Sequence, residues 1–398
     1  MSSQSTQSAA TAEQAGNHLL AWRREFPILH TTTYLISNSL GAMPRAVEAS
    51  LADYARTWAT RGVRAWEEGW WEMVSALGDR LAPVLGADPG TISLHENVTL
   101  TQAVIASCFR FEGRRRKVIL TDKEFPSVLY FWHAQRARGA EVVMVETQED
   151  PLRVPTEKLL AAIDEDTLLV PFSHVLFRSA YQQDVAAIVE KAHRVGARVI
   201  LDTYQSAGVL PVKAKEWNVD FCVGGTLKWL CGGPGLAYLY VRPDLAKTLE
   251  PTLTGWFAHP RPFGFEVGPN AYTDGAFRFL QGTTHIPCFY AACPGLDIIN
   301  QVGVDVIRRR SLQLTRRLME QARARGWRVH TPEDDTERGG TVTLDVPRGP
   351  EVLQELLRRD FLCDYRPQAG IRASPHFYNT EEEVDRLIAE IAAILGGK

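Results

Sequence analysis

A single lysine lies within a stretch of small, apolar and glycine residues. Positions 224–235 read Gly-Gly-Thr-Leu-Lys-Trp-Leu-Cys-Gly-Gly-Pro-Gly, with the lysine at 228, and the apolar run 236–241 behind it predicts a buried strand. Lysine is seldom buried without a partner. Lys228 is therefore either a loop residue that points to solvent or a Schiff-base lysine, whose amine is kept reactive by desolvation and nearby charge.

A carboxylate upstream of this lysine favours the second interpretation. The apolar run 198–201 predicts a short strand that ends at Asp202, and a turn-like segment follows it. Asp202 is either a helix N-cap or the partner of the protonated ring nitrogen of pyridoxal 5′-phosphate (PLP), which keeps that ring an electron sink. Because Lys228 lies at a suitable spacing, we favour a PLP site with Lys228 and Asp202 as its catalytic residues.

The two segments resemble a known family. The Asp-x-x-Gln of 202–205 and the Thr-x-Lys of 226–228 are similar to the class V branch of the PLP fold-type I enzymes, which includes cysteine desulfurases, selenocysteine lyases, aminotransferases and kynureninases. The run 228–235 resembles most the kynureninase pattern Lys-Tyr-Leu-Asn-Gly-Gly-Pro-Gly. The resemblance extends over residues 24–395 and implies a PLP cofactor.

The resemblance also implies contacts to that cofactor. Val98, through its backbone N–H, and Thr99 open a predicted helix and correspond to the family's phosphate-binding segment; a helix N-terminus suits an anion. Phe125 corresponds to the residue that stacks on the PLP ring, although a phenylalanine beside proline is otherwise an ordinary core residue. Gln205 is placed to hydrogen-bond the ring's phenolic oxygen, and Thr226 to add a phosphate contact.

Two loops beyond the strand 236–241 resemble kynureninase segments that contact the phosphate. Gly255–Phe263 is similar to Gly-Trp-x-x-His-x-x-Pro-Phe and places Trp256 at the phosphate. Arg278–Thr283 is similar to Arg-Phe-x-x-Gly-Thr, a loop that reaches the phosphate of the neighbouring subunit through the position of Thr283. The resemblance therefore implies a homodimer with its active site at the subunit interface. Without it, both loops read as surface turns.

Three residues are candidates for substrate binding. Arg372 lies in a stretch, 370–379, that is typical of class V enzymes, and corresponds to the arginine that grips the substrate α-carboxylate, for which a guanidinium is well shaped. Asn38 and Ser39 lie in a polar turn that resembles the kynureninase Gly-Asn-Ser-Leu-Gly element near the substrate. The alternatives are a surface arginine for the first and helix capping for the other two.

Three departures from the kynureninase pattern surround the cofactor. Leu227 stands where that family has tyrosine, Val128 where it has aspartate, and Gln205 where it usually has histidine. A leucine neither binds phosphate nor donates a proton. We therefore predict an enzyme that acts on an α-amino acid through an external aldimine, with kynureninase-like cleavage of a C–C or C–X bond at the β-carbon, but not on kynurenine itself.

Other activities stay open. A class V aminotransferase or epimerase needs only Lys228 to move a proton, whereas a cysteine desulfurase or selenocysteine lyase needs a mobile cysteine, for which Cys363 is the only candidate. We interpret Cys363 as structural. The alternative outside enzymes is a PLP-fold scaffold protein without catalysis.

The elements that position these residues alternate along the chain. Predicted strands and helices succeed one another from 117 to 201, which indicates an α/β fold with a mostly parallel sheet. Ligands in such sheets lie beyond the carboxyl ends of the strands, where Asp202 and Phe125 are expected. The resemblance implies a PLP fold-type I large domain over residues 17–294 and a small C-terminal α+β domain over 295–398.

Composition excludes several classes of partner. The 398 residues include 45% hydrophobic and 23% charged residues with a net charge of −3, which favours neither a nucleic acid nor a membrane surface. The six cysteines form no Cys-x-x-Cys pair or metal-ligand spacing, so we expect no metal and a cytoplasmic location. Residues 1–16, rich in Ser, Gln, Ala and Thr, predict a disordered leader.

Overall fold

The computed structural model describes residues 19–147, 150 and 152–396. The predicted leader, residues 1–16, lies outside the described residues. No helix within the described ranges is both long enough and apolar enough to cross a membrane.

Strands and helices alternate as the sequence predicts. The strands are β1 (Thr33–Tyr34), β2 (Ile92–His95), β3 (Lys117–Thr121), β4 (Glu141–Val145), β5 (Thr167–Ser173), β6 (Arg198–Asp202), β7 (Phe221–Gly225), β8 (Ala237–Val241), β9 (Arg328–Val329), β10 (Val342–Asp345), β11 (Phe361–Leu362), β12 (Asp364–Arg366) and β13 (Gly370–Ala373). The α-helices are α1 (Ala46–Arg61), α2 (Trp71–Leu85), α3 (Val98–Ser107), α4 (Pro126–Ala134), α5 (Thr156–Ala162), α6 (Val185–Arg194), α7 (Pro243–Ala246), α8 (Ile286–Val302), α9 (Val304–Ala324), α10 (Gly349–Arg358) and α11 (Glu381–Gly396).

A seven-stranded sheet forms the centre of the fold, in the order β2-β8-β7-β6-β5-β3-β4. The strands from β7 to β4 in this order are parallel, while β8 runs antiparallel to both of its neighbours. Alternate residues of β6 join apolar clusters on opposite sides of the sheet: Val199 and Leu201 in one, Ile200 in the other. Both faces are therefore covered, as expected of a largely parallel sheet. The predicted α/β fold with a mostly parallel sheet is confirmed.

A smaller antiparallel sheet, β12-β13-β10-β9, lies in the C-terminal region. Its apolar residues share a third core cluster with residues of α9, α10 and α11. The N-terminal segment reaches this region, because β1 pairs in parallel with β11 and Leu35 belongs to the same cluster. The predicted domain boundary at residue 294 falls inside α8, and the division into two domains stays a prediction.

The turn that follows β1 packs tightly against the loop that carries Lys228. The Gly41 N–H donates a hydrogen bond to the carbonyl of Leu227 at 2.8 Å. A Cβ atom on Gly41 would lie 2.1 Å from the Lys228 carbonyl oxygen, far inside van der Waals contact. The close approach therefore requires glycine at this position and holds residues 37–41 beside the lysine.

Candidate active site

Lys228 lies in the loop between β7 and β8 with its amine in apolar surroundings. Its Nζ is 4.2 Å from the centroid of the Tyr204 ring and 5.7 Å from that of Phe125. Among the described residues, Nζ has no hydrogen-bond or ion-pair partner. Burial lowers the pKa of the Lys228 amine to about 8, and Asp202 opposes part of that shift. About a tenth of the amine is therefore unprotonated at pH 7, far more than for a lysine with the ordinary pKa.

Asp202 ends β6, at the carboxyl edge of the sheet. Its Oδ1 accepts a hydrogen bond from the backbone N–H of Tyr204 at 2.8 Å. Burial raises the pKa of this carboxyl to about 6, while the Tyr204 N–H and Lys228 act in the opposite direction. A cationic ring nitrogen beside it would favour the ionised carboxylate further.

The N-terminus of α3 points to the same side of the sheet. Asn97 caps the helix, because its side chain accepts a hydrogen bond from the Leu100 N–H at 3.0 Å. The N–H groups of Val98 and Thr99, in the first turn, have no hydrogen-bond partner among the described residues. Unpaired N–H groups at the positive end of a helix are suited to a phosphate group.

These groups surround one cavity of about 620 Å³. The residues that line it are Asn97, Val98, Thr99, Phe125, Ser127, Ser173, Val175, Phe177, Asp202, Tyr204, Gln205, Leu227 and Lys228. The structure thus brings together six of the predicted site residues. Tyr204, whose ring covers the lysine amine, was missed by the sequence analysis, although it lies two residues after Asp202.

Gln205 holds the walls of the cavity together. Its Nε2 donates to the carbonyl of Asn38 at 3.0 Å, and its Oε1 accepts from Trp229 Nε1 at 3.2 Å. Both ends of the amide are therefore engaged with the protein. The amide keeps one further N–H on Nε2, so the predicted bond to the ring's phenolic oxygen remains a prediction.

The two candidates in the turn after β1 differ in their contacts. The Asn38 side chain is buried, and neither its amide nitrogen nor its oxygen has a hydrogen-bond partner in the described part of the chain. Ser39 instead donates through Oγ to Asp364 Oδ2 at 3.0 Å. Asn38 thus retains a free amide beside Gln205, whereas Ser39 already binds another residue of the protein.

Arg372 lies on β13 and is 2% exposed. Its Nε and Nη2 donate to the two carboxylate oxygens of Asp364 at 2.7 and 2.5 Å, and its Nη1 donates to the carbonyl of Phe177. The guanidinium does not line the cavity itself, but Phe177 does. The predicted carboxylate-binding arginine is therefore adjacent to the cavity and is paired with a carboxylate of its own chain.

Three predicted phosphate contacts lie away from this cavity. Thr226 is fully buried, and its hydroxyl lies 3.3 Å from the Gly233 carbonyl and 3.4 Å from that of Leu236. Trp256 and Thr283 line a different cavity of about 730 Å³. Within one chain, the structure does not bring these three side chains together with Lys228.

Glu124 is a buried carboxyl that the sequence analysis missed. It follows β3, is 2% exposed, and accepts hydrogen bonds from Thr121 Oγ1 at 2.8 Å and from the N–H and hydroxyl of Ser173 at 2.9 and 2.5 Å. Burial raises its pKa to about 7, and Asp202 contributes in the same direction. An acidic residue directly before Phe125, just beyond a strand end, was the signal that could have identified it.

The residues that differ from the kynureninase pattern have distinct surroundings. Leu227 lines the cavity, whereas Val128 is buried in the apolar core of α4. Cys363 is 2% exposed, and burial raises the pKa of its thiol. A buried thiol with a raised pKa is a poor nucleophile, which agrees with a structural role.

The donor set fits PLP. A lysine amine and helix N-terminal N–H groups that have no partner in the described part of the chain line one cavity with a carboxylate at a strand end. These are the groups that an aldehyde, a phosphate and a ring nitrogen require. Among the described residues there is no group of three or more His, Cys, Asp and Glu side chains that could hold a metal ion.

Comparison with known proteins agrees with this arrangement. The family model described as Aminotransferase class-V matches residues 33–387. The chain belongs to the class-V aminotransferase family. An uncharacterized aminotransferase, YcbU, of Bacillus subtilis (strain 168) is 34% identical over 94% of this chain and 97% of its own length. A kynureninase of Pseudomonas fluorescens is 32% identical over 99% of this chain and 96% of its own length.

Solved structures share the fold. The apo structure of a cysteine desulfurase from Thermococcus onnurineus NA1 has a TM-score of 0.83 at 21% identity and covers 94% of this chain and 98% of that one. A variant of C-DES with glycine covalently linked to its PLP cofactor has a TM-score of 0.83 at 22% identity, covering 93% and 98%. The predicted class V membership and fold-type I architecture are confirmed.

Proposed function

We propose that this class-V family member is a PLP-dependent enzyme that acts on an α-amino acid and breaks a C–C or C–X bond at the β-carbon. The observation that carries the proposal is the unpaired Lys228 amine, which shares a cavity with Asp202 and the N-terminus of α3. The cofactor would supply an electron sink for carbanion chemistry. Kynureninases among the relatives support the choice of reaction.

Residues of the chain would bind the cofactor and move the proton. Asp202 would hold the proton on the ring nitrogen, and Val98 and Thr99 would bind the phosphate through their free N–H groups. Lys228 Nζ, with its pKa lowered to about 8, is suited to take the proton from the α-carbon. Phe125 and Tyr204, whose ring centroids lie 5.7 and 4.2 Å from Nζ, would limit the access of water.

Hydrolysis of kynurenine itself is not part of the proposal. Leu227 lines the cavity beside the lysine and has no proton to donate, and Val128 is an apolar core residue. A positioned proton donor typically contributes about 10²–10⁴ in rate. Without one, the kynurenine path should be suppressed.

Transamination is the second candidate. It requires no nucleophile other than Lys228, and a relative named as an aminotransferase covers nearly the whole chain. A desulfurase-type reaction is less well supported, because burial raises the thiol pKa of Cys363 and keeps it from solvent.

We also propose a cytoplasmic homodimer in which a second copy completes the site. Trp256 and Thr283 line a cavity separate from that of Lys228 within one chain, and Phe263 beside them is 63% exposed. A neighbouring subunit could use these side chains as phosphate contacts. Light scattering of the PLP-loaded protein would test this, since a monomer that binds PLP fully would exclude a shared site.

Absorbance spectra and product analysis test the function. The purified protein should show a band at about 410–430 nm, typical of a lysine Schiff base of PLP, that borohydride abolishes. Lys228→Ala should lose the band and all turnover, while Lys213→Ala, at an exposed lysine paired with Glu216, should keep both. A Lys228→Ala protein with a borohydride-sensitive band would refute the assignment, and a wild-type protein without a band would favour a scaffold.

The products then separate the candidate reactions. Kynurenine, alanine, aspartate and cysteine would be supplied one at a time, and the products identified by mass. A keto acid with amination of the cofactor indicates transamination, whereas loss of the β-substituent indicates the proposed cleavage. Conversion of kynurenine to anthranilate and alanine at an ordinary turnover of about 1–10³ per second would replace the proposal with plain kynureninase activity.

A further inference from the structure

Arg372 uses only part of its hydrogen-bonding capacity. Its Nε–Nη2 edge is taken by Asp364 in a two-bond contact, at 2.7 and 2.5 Å. A guanidinium has five N–H donors, and Nη1 gives one of its two to the carbonyl of Phe177. Among the described residues, one N–H of Nη1 and one of Nη2 therefore have no acceptor, and a carboxylate can bind one N–H from each of these nitrogens.

Asp364 is held from several sides. It lies directly opposite Arg372 in the antiparallel pair of β12 and β13. Its Oδ2 also accepts from Ser39 Oγ at 3.0 Å and lies 3.2 Å from Arg366 Nη2. Burial acts to raise the pKa of this carboxyl, but the two arginines outweigh it and hold the pKa below its ordinary value. Asp364 is therefore an ionised partner that several contacts hold beside Arg372.

The cluster of Arg366, Arg372 and Asp364 carries one more positive than negative charge, which an anionic ligand would balance. Two guanidinium groups, of Arg366 and Arg372, face the single carboxylate of Asp364. The Arg372 side chain is 2% exposed, so water compensates little of the excess positive charge on that side. Phe177, whose carbonyl accepts from Nη1, lines the cavity, and the charge of Arg372 acts on the Lys228 amine, so the guanidinium lies next to the cavity.

We propose that Asp364 is a positioning residue that turns the free Nη1–Nη2 edge of Arg372 towards the α-carboxylate of the amino acid, with Ser39 and Arg366 holding Asp364 in place. This inference rests on the proposed function. It explains why Arg372 pairs with a carboxylate of its own chain. A guanidinium that is fixed along one edge loses less conformational freedom when a ligand binds to its other edge.

The opposite role for Asp364 predicts the opposite effect of Asp364→Asn on the binding of carboxylate ligands. If Asp364 were an internal competitor that the substrate must displace, Asp364→Asn would strengthen the binding of carboxylate ligands. If Asp364 orients Arg372, the same variant weakens it, because an Asn amide meets one of the two arginine N–H groups with a donor rather than an acceptor.

The test compares two probes that differ only in the carboxylate, L-alanine and L-alaninamide. Each is titrated into the PLP-loaded protein, and binding is followed by the change in the cofactor's absorbance. We expect the wild type to prefer L-alanine, and Asp364→Asn to reduce that preference about tenfold or more, as for the loss of a hydrogen bond between charged groups. Affinity for L-alaninamide should change little. Asp345→Asn, on β10 of the same sheet and 55% exposed, is the matched control and should behave as the wild type.

The outcomes distinguish a failure of this inference from a failure of the proposed function. A wild type whose absorbance changes with neither probe would refute the proposed function and, with it, the inference. A wild type that prefers L-alanine, together with an Asp364→Asn variant of unchanged or increased preference, overturns the inference alone. If circular dichroism shows that Asp364→Asn does not fold, Ser39→Ala carries the test: a severalfold loss of preference supports the inference, and no loss overturns it.

Discussion

The reactivity of the Lys228 amine provides a quantitative prediction. An amine attacks an aldehyde only when it is unprotonated. With its pKa lowered from 10.5 to about 8, about a quarter of this amine is unprotonated at pH 7.5, against roughly one part in a thousand at the ordinary value. Burial should therefore accelerate attachment of PLP roughly 200-fold over an exposed lysine of equal intrinsic reactivity.

The perturbation is Asp202→Asn. Because the negative charge of Asp202 raises the pKa of Lys228, its removal should lower that pKa further. Cofactor-free protein would be mixed with PLP in a stopped-flow instrument, and the rate at which the borohydride-sensitive band appears would be measured against pH. The wild-type rate should rise with pH through an inflection near pH 8, and the inflection of Asp202→Asn should lie at lower pH.

Two results would refute this reasoning. A wild-type inflection near pH 10 would mean that the lysine is solvated like a surface residue. An Asp202→Asn inflection that is unchanged or higher would mean that the two side chains do not interact. Asp244→Asn, which removes a 63% exposed carboxylate paired with Arg242, is the control and should leave the inflection in place.

Three further predictions concern stability and the role of the thiol. Burial raises the pKa of Glu124 from 4.5 to about 7, so the stability that its protonated form provides is complete below pH 4.5 and is lost as the pH rises through 7. The free energy of unfolding should fall by about 3 kcal/mol over this range. In urea unfolding of the cofactor-free protein, Glu124→Gln should lack this decline, whereas Glu112→Gln, at an exposed glutamate, should retain it. Gly41→Ala would place a Cβ 2.1 Å from the Lys228 carbonyl oxygen and should lower the melting temperature by more than about 5 °C, contrary to an unstrained Gly→Ala change, which would raise it. Cys363→Ala should keep most of the turnover, measured with the amino acid that reacts best, because the thiol is buried; a loss of about 10³ or more would indicate a desulfurase-type nucleophile.

The sequence by itself was sufficient to predict the α/β architecture and to assign several candidate residues to one edge of the sheet. The alternation of apolar strands with helices predicts a largely parallel sheet, and residues at the ends of such strands must meet at one edge. Asp202 and Phe125 could therefore be assigned to the same edge before any contact was known, and the structure places both in the lining of the Lys228 cavity. These features depend on residue type and local periodicity, which can be read along the chain.

The tertiary structure decided which polar groups remain free to bind a ligand. Gln205 is engaged by Asn38 and Trp229, and Glu124 is held by Ser173, through contacts between residues far apart in the chain. The sequence placed Trp256 at the phosphate, yet within one chain it lines another cavity.

Arg372 shows why the sequence alone could not identify the contacts of each side chain. Its motif indicates a carboxylate-binding arginine, but the register of β12 against β13 places Asp364 directly opposite it, and the turn after β1 brings in Ser39. A pattern along the chain specifies what a side chain can bind. Strand register and the packing of distant segments determine what it does bind, and they set the burial that shifts the pKa of Lys228, because desolvation depends on every element around the amine.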